Sequence, residues 1–301
     1  MRPRKTHAEH LDVSLVRRLL LSQFPEWADL PIRPVEFDGR DNTTFRLGDD
    51  MSVRLPSHAA YEQQVEKEHH WLPRLAPLLP LPIPVPLVVG VPSADFPLHW
   101  SVRRWIEGEI LQRAPVHDQL QFVGDLTAFV VALQRCDSNG GPPAGPHSFW
   151  RAGPLAIYDK ETRDAIEALN DRIDAKSCTE VWEVALAETW TAAPVWVHGD
   201  IAPDNLLVRD GRLSAVIDFG CSAVGDPACD LVMAWTYFSG ESREAFRAGI
   251  ALDDPTWARG RGWALWKALI VLARTIDSDP EEATNARRVI TEVLADHASI
   301  T

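Results

Sequence analysis

Three side chains in one short stretch have the types and spacing to do chemistry together. Residues 197–220 read VHGDIAPDNLLVRDGRLSAVIDFG, an apolar, strand-like frame that carries Asp200, Asn205 and Asp218. Carboxylates are costly to bury alone, so hard oxygen donors on such a frame call for a cation or a proton to move. Residues 206–208 and 213–217 are β-formers around Asp210-Gly211, a hairpin signal, and that hairpin returns Asp218 to the neighbourhood of Asn205. Two carboxylates and an amide so placed are suitably hard oxygen donors for Mg2+. Phosphoryl transfer needs such positioned charge and little covalent help. A set of turns with solvated carboxylates is the plainer account of the same residues.

The rest of the chain has to hold these residues in place. Residues 12–27 have the period of an amphipathic helix, with Val13, Val16, Leu19, Leu20 and Phe24 on one side. Residues 35–56 alternate as strands and turns, and residues 61–75 form a charged helix. Pro recurs every second or third position over residues 77–90, which excludes a helix, and a strand over 98–111 leaves through Gly108. Beyond it the texture is helical: 118–134, 161–174, 179–190, 227–239 and most of the remainder to 295, with a loop at 139–146. This predicts an α+β, two-lobed chain. Residues 1–105 make a small β-rich lobe, residues 106–301 a larger helical one, and the cleft lies near 103–108.

Composition narrows the function. The chain has 301 residues, 46% of them hydrophobic, and twelve Trp, enough for a sizeable core. No apolar run approaches the ~20 residues of a membrane span, and Asp12 with Arg17 and Arg18 interrupts the one stretch resembling a leader. Cys136, Cys178, Cys221 and Cys229 form no C-x-x-C pair or zinc spacing and are expected as reduced thiols of a cytoplasmic protein. Thirteen acids and thirteen bases balance in residues 1–105, so the whole formal charge of −13 lies in residues 106–301. That field disfavours nucleic acid and favours cationic partners, although an ordinary solubilising surface also accounts for it. No membrane or obligatory protein partner is evident.

The strings HGDIAPDN, VIDFG and GDPACDL resemble the aminoglycoside phosphotransferase family of kinase-fold enzymes, and H-G-D in place of H-R-D separates that family from protein kinases. The resemblance implies a protein-kinase-like fold and ATP or GTP as phosphoryl donor. It makes Asp200 the catalytic base, with His198 ordering its loop, and Asn205 and Asp218 the magnesium ligands. Asp230, helped by Asp226, is expected to brace the loop. Gly39, Asn42, Thr43 and Thr44 fall where the family covers the phosphates, although a plain hairpin also fits that string. Arg54 stands where a Lys usually pairs the phosphates; its fork is bulkier and not equivalent. Glu68 is preferred over Glu62 and Glu66 as the partner of Arg54. Main-chain atoms of Arg103, Arg104 or Trp105 would meet the adenine edge.

Gly225-Asp226-Pro227 follows Gly220 after only four residues, which leaves no platform for a peptide and points to a free small molecule. The acidic second lobe suits an aminoglycoside-like cation, with Asp253, Asp254, Asp277, Asp279, Glu281 and Glu282 as candidate contacts. Trp235, Tyr237, Trp257, Trp263 and Trp266 have the spacing of core residues and keep open an apolar, macrolide-like acceptor. A choline- or homoserine-type metabolite kinase, or a nucleotide-binding pseudokinase hinted at by Arg54, are the alternatives.

Overall fold

The side chain of Asp12 accepts a hydrogen bond from Leu15 N at 2.7 Å and starts the first helix, α1 (Val13–Gln23). Pro25 ends it in a 3-10 turn (Pro25–Trp27), so the helix stops short of the expected residue 27. The computed structural model describes residues 11–35 and 41–300; Gly39, expected in the phosphate-covering turn, and Arg40 lie outside the described residues.

Five antiparallel strands follow: β1 (Ile32–Pro34), β2 (Asn42–Leu47), β3 (Met51–Pro56), β4 (Pro86–Gly90) and β5 (Trp100–Arg104), in the order β1-β2-β3-β5-β4. The period of two sorts their side chains. Phe45, Leu47, Val53, Leu55 and Val102 join Leu15, Val16, Leu19 and Leu20 of α1 in one core. Each fully buried aliphatic side chain there stabilises by roughly 1.5–3 kcal/mol. Ser52, Arg54, Ser101 and Arg103 occupy the other face, where Arg54 stands opposite Ser101 and Ser52 opposite Arg103. A polar row on a sheet's inner face is the first structural sign of a site.

The helix α2 (Glu62–Leu75) crosses from this sheet to the rest of the molecule and sends Leu72 and Leu75 into the second, larger core. That core is built by α3 (Gln119–Arg135), α4 (Asp159–Ala168), α5 (Ala175–Leu186), α6 (Met233–Thr236), α7 (Gly240–Ile250), α8 (Asp254–Thr275) and α9 (Pro280–Ala298). Small sheets complete it: β6 (Glu109–Ile110), β8 (Leu206–Arg209) and β9 (Arg212–Val216), and separately β7 (Val195–Val197) with β10 (Ala223–Gly225). Trp235, Trp257, Trp263 and Trp266 are all buried in this core.

Two expected helices are divided differently. The one predicted over 161–174 ends at Ala168, and Asp174 caps the next by accepting from Ser177 N at 3.0 Å. The one predicted over 227–239 is a 3-10 turn (Pro227–Leu231) followed by the short α6. No helix among the described residues is long and apolar enough to cross a membrane.

Candidate active site

The buried strand β7 delivers His198, Gly199 and Asp200 to the edge of the polar face. Gly199 has φ +82°, and a Cβ there would lie 2.4 Å from the carbonyl oxygen of Cys221, so only glycine fits. The Asp230 carboxylate accepts from His198 N and Gly199 N, both at 2.7 Å, as the expected brace. Burial pushes the Asp230 carboxyl above the usual carboxylate range, while the two N–H groups pull it back. His198, fully buried, lies 2.9 Å from Ile217 O through Nε2, and its Nδ1 accepts from Asp200 N at 3.2 Å. Those two bonds place the ring hydrogen on Nε2. His198 therefore joins the loop to the returning strand. Arg151 adds a third support, donating from Nε to Gly199 O at 3.0 Å.

After Asp200 the chain makes a 3-10 turn (Pro203–Asn205) and enters the β8–β9 hairpin. Asp210 and Gly211 both have positive φ, 53° and 73°, as a tight Asp-Gly turn requires. Asn205 Nδ2 donates to Asp200 O at 2.8 Å, which turns the amide oxygen the other way. Asp218 has left-handed backbone, φ 63° and ψ 65°, costly for a non-glycine residue and typical of functional positions. Ile217 N donates to Asn205 O at 2.9 Å, so the hairpin returns Asp218 to the neighbourhood of Asn205, as predicted.

Arg54 meets this group from the sheet: Nη2 donates to Asp218 Oδ1 at 2.7 Å. Asn42, with its amide oxygen turned toward Arg54, accepts from Nη2 at 2.8 Å and Nε at 3.0 Å. Burial opposes the guanidinium charge, but Asp218, Glu68 and Asp41 outweigh it and hold Arg54 above its usual range. Thr44 stands opposite Arg54 and shares its face; Thr43 stands opposite Leu55 on the other face.

Glu68 is, as expected, the α2 acid that pairs Arg54, but it holds a second cation more tightly. Its closest cation is Arg103, Nη2 to Oε2 at 2.5 Å, whereas Arg54 Nη1 stands 3.8 Å from Oε1. Arg103 is buried, also donates from Nε to Ser101 Oγ at 3.0 Å, and is lowered below its usual range by burial. Its backbone lies in the interior strand β5, opposite Ser52 on one side and Pro86 on the other, so the sheet occupies the main-chain edge expected to meet adenine. Arg104 is exposed, and in the strand register it stands opposite Met51. Trp105 N donates to Asp50 O at 2.8 Å, and the Arg46 guanidinium covers its ring at 4.1 Å. A cavity of about 1020 Å³ beside Arg104–Glu107 is walled by residues 80–83, Arg209, Asp210 and residues 212–214, and its lining includes none of Asp200, Asn205, Asp218 or Arg54.

Several acids proposed as acceptor contacts have local work. Asp253 and Asp279 cap α8 and α9, accepting from Thr256 N at 3.0 Å and Glu282 N at 3.1 Å, and Asp254 pairs Arg247 at 2.7 Å. Asp204, inside HGDIAPDN, went unnoticed in the sequence. The surrounding protein and then Asp200 and Asp218 push its carboxyl up, while Lys267 on α8 pulls it down. Asp204 thus feels the charges of Asp200 and Asp218 and adds a second acid to the loop that carries Asp200. Asp226, expected to assist the loop, is buried against Arg259 (Nε to Oδ2, 2.7 Å) and also caps Ala228 N at 3.0 Å.

Residues 31–263 match the phosphotransferase enzyme family. The chain belongs to that family. A curated relative, hygromycin-B 4-O-kinase from Escherichia coli, is 27% identical over 153 residues, spanning 48% of this chain and 45% of the relative. The match thus spans less than half the length of that relative. Among solved structures, the GDP complex of wild-type aminoglycoside 2'-phosphotransferase-IIIa has a TM-score of 0.69 at 18% identity, covering 95% of this chain and 100% of that one. A ternary complex of a thermostable mutant of aminoglycoside phosphotransferase APH(4)-Ia with AMP-PNP and hygromycin B has a TM-score of 0.65 at 22% identity, covering 94% and 99%. The architecture is the two-lobed, protein-kinase-like fold of these phosphotransferases.

Proposed function

We propose that this family member transfers the γ-phosphate of ATP or GTP to a hydroxyl of a small cationic acceptor of the aminoglycoside type. The observation that carries the reading is the convergence of Asp200, Asn205 and Asp218 on one corner, met by Arg54 from the facing sheet. Residues 1–105 would cover the nucleotide and residues 106–301 supply the chemistry and the acceptor surface. Asp200 would hold the acceptor hydroxyl and take its proton as the oxygen attacks the γ-phosphorus. Arg54 would pair phosphate oxygens, steadied by Asn42 and by Glu68, which Arg103 fixes from its other side.

The donor set suits Mg2+. Asp218 already takes a cationic partner, and the Asn205 amide oxygen is turned by its Nδ2 bond to Asp200 O. Two hard oxygen ligands with phosphates completing the shell are what that ion takes. Bound Mg2+ would neutralise charge on the phosphates. The comparisons support the acceptor class, since relatives' structures contain kanamycin and hygromycin B.

The test is a screen of aminoglycosides, macrolides and amino alcohols with magnesium and ATP or GTP, read by the mass shift of one phosphoryl group. Phosphorylated aminoglycosides, and raised aminoglycoside tolerance in a host expressing the chain, are expected. Phosphorylation of macrolides or amino alcohols alone would replace the acceptor class, and no transfer to any acceptor would overturn the reading.

A further inference from the structure

Lys67 is a buried lysine on α2 with no part in the chemistry described so far. Its ammonium reaches across to the loop that follows Asp218. Nζ donates to Gly220 O at 2.7 Å and Ser222 O at 2.8 Å, and lies 3.2 Å from His147 Nδ1. His147 Nε2 stands 2.9 Å from Pro143 O, so the ring hydrogen sits on Nε2 and Nδ1 accepts from Lys67. Three acceptors surround an amine that has three hydrogens only when protonated. The same helix presses on the loop a second time: a Cβ on Gly220 would come 2.6 Å from Gln64 Oε1. The clamped atoms lie two and four residues beyond Asp218.

We propose that Lys67 is a positioning residue that clamps the loop after Asp218 to α2 and so sets where the Asp218 carboxylate stands relative to Asn205 and Arg54. The proposal rests on the reading of Asp218 as a magnesium ligand. A lysine serving stability alone would affect unfolding and leave metal-dependent binding untouched.

Burial lowers Lys67 to about 8, against the upward pull of Cys221, Glu68 and Asp218. Cys221 and Asp218 face it from the loop, His147 from the turn Pro146–Ser148, and Glu68 from its own helix. The clamp is therefore complete at neutral pH and lost as pH rises through about 8. Between that value and the ordinary 10.5 the unfolded chain keeps the proton that the folded chain has lost, so this group's contribution to stability rises with pH there. Loosening of the clamp and global unfolding thus move in opposite directions.

The experiment measures binding of a non-hydrolysable nucleotide, with and without Mg2+, from neutral pH to about pH 9.5. Wild-type affinity with Mg2+ should fall through about pH 8, and metal-free affinity should stay level. Lys67→Met should lose about 10–100-fold of the magnesium-dependent affinity at neutral pH, the scale for a residue that orients a metal ligand, and show no alkaline fall. His147→Leu removes one acceptor from the ammonium and should move the alkaline fall to lower pH. A folded Lys67→Met with wild-type affinity and the same alkaline fall overturns the clamp. If that variant does not fold, an unmoved fall in His147→Leu overturns it instead. Asp218→Ala separates the two ideas: full magnesium-dependent affinity there overturns the metal reading, whereas its loss beside an unaffected Lys67→Met overturns the clamp alone.

Discussion

Asp200 is held by its backbone on both sides, its N–H on His198 Nδ1 and its carbonyl on Asn205 Nδ2. Neither of these two bonds uses the carboxylate, so both survive replacement by the isosteric amide. Asp200→Asn should keep the fold and nucleotide binding and lower turnover by ~100-fold or more, the scale of a positioned general base. Steady-state turnover with the acceptor saturating, beside nucleotide titration, checks this; near-normal turnover would remove Asp200 from the chemistry. These residues were legible in the sequence because they lie close along the chain and one tight hairpin closes the set. Lys67 and the pairing of Arg103 with Glu68 were not. Lys67 finds its carbonyl partners 153 and 155 residues away, across two cores, and Glu68 meets Arg103 35 residues on. Periodicity gives the face of a helix and says nothing of what is brought against it.

At the scale of elements, the turn Pro227–Leu231 shows what pattern reading misses. The apolar run to 239 resembles one helix, yet the backbone takes 3-10 geometry where Asp226 caps it and Asp230 turns inward to the catalytic loop. The brace itself was legible from Asp230 in GDPACDL; the interruption of the helix around it was not. Removing the carboxylate would strand two buried N–H groups, at about 1–3 kcal/mol each. Asp230→Ala should therefore lower the denaturant midpoint and also turnover, because Gly199 and Asp200 lose their support. Urea unfolding with activity measured on the folded fraction checks both; unchanged turnover in that fraction would confine Asp230 to stability. The sheet was read more fully, since β3 alternates between the α1 core and the polar row that carries Arg54.

For the whole molecule the deciding quantity is the field. Residues 1–105 are balanced, residues 106–301 carry −13, and Asp204 stands beside Asp200 on the same loop. Asp253 and Asp279 cap helices, Asp254 pairs an arginine and Asp218 is engaged by Arg54, so the long-range field together with Asp200 and Asp204 is what a cationic acceptor would meet. Raising salt shortens the Debye length from about 10 Å at 0.1 M to about 3 Å at 1 M. The Michaelis constant of a polycationic aminoglycoside should therefore climb steeply over that range, and more than that of a neutral or singly charged acceptor. Initial rates with nucleotide and magnesium saturating check it; a flat constant would argue against a polycation.

The four thiols give the protein a clock of its own. Cys136, Cys178, Cys221 and Cys229 are all buried and unbridged, and burial pushes Cys136 up, Cys178 to about 12 and Cys229 well above its usual range. An alkylating reagent needs an exposed thiolate, so each cysteine is labelled only when its own segment opens. Cys221 lies between the two carbonyls that Lys67 grips, whereas Cys178 lies inside α5. The ratio of their labelling rates would time the breathing of the site's loop against the opening of the helical core, in the unmodified chain and without a spectroscopic tag.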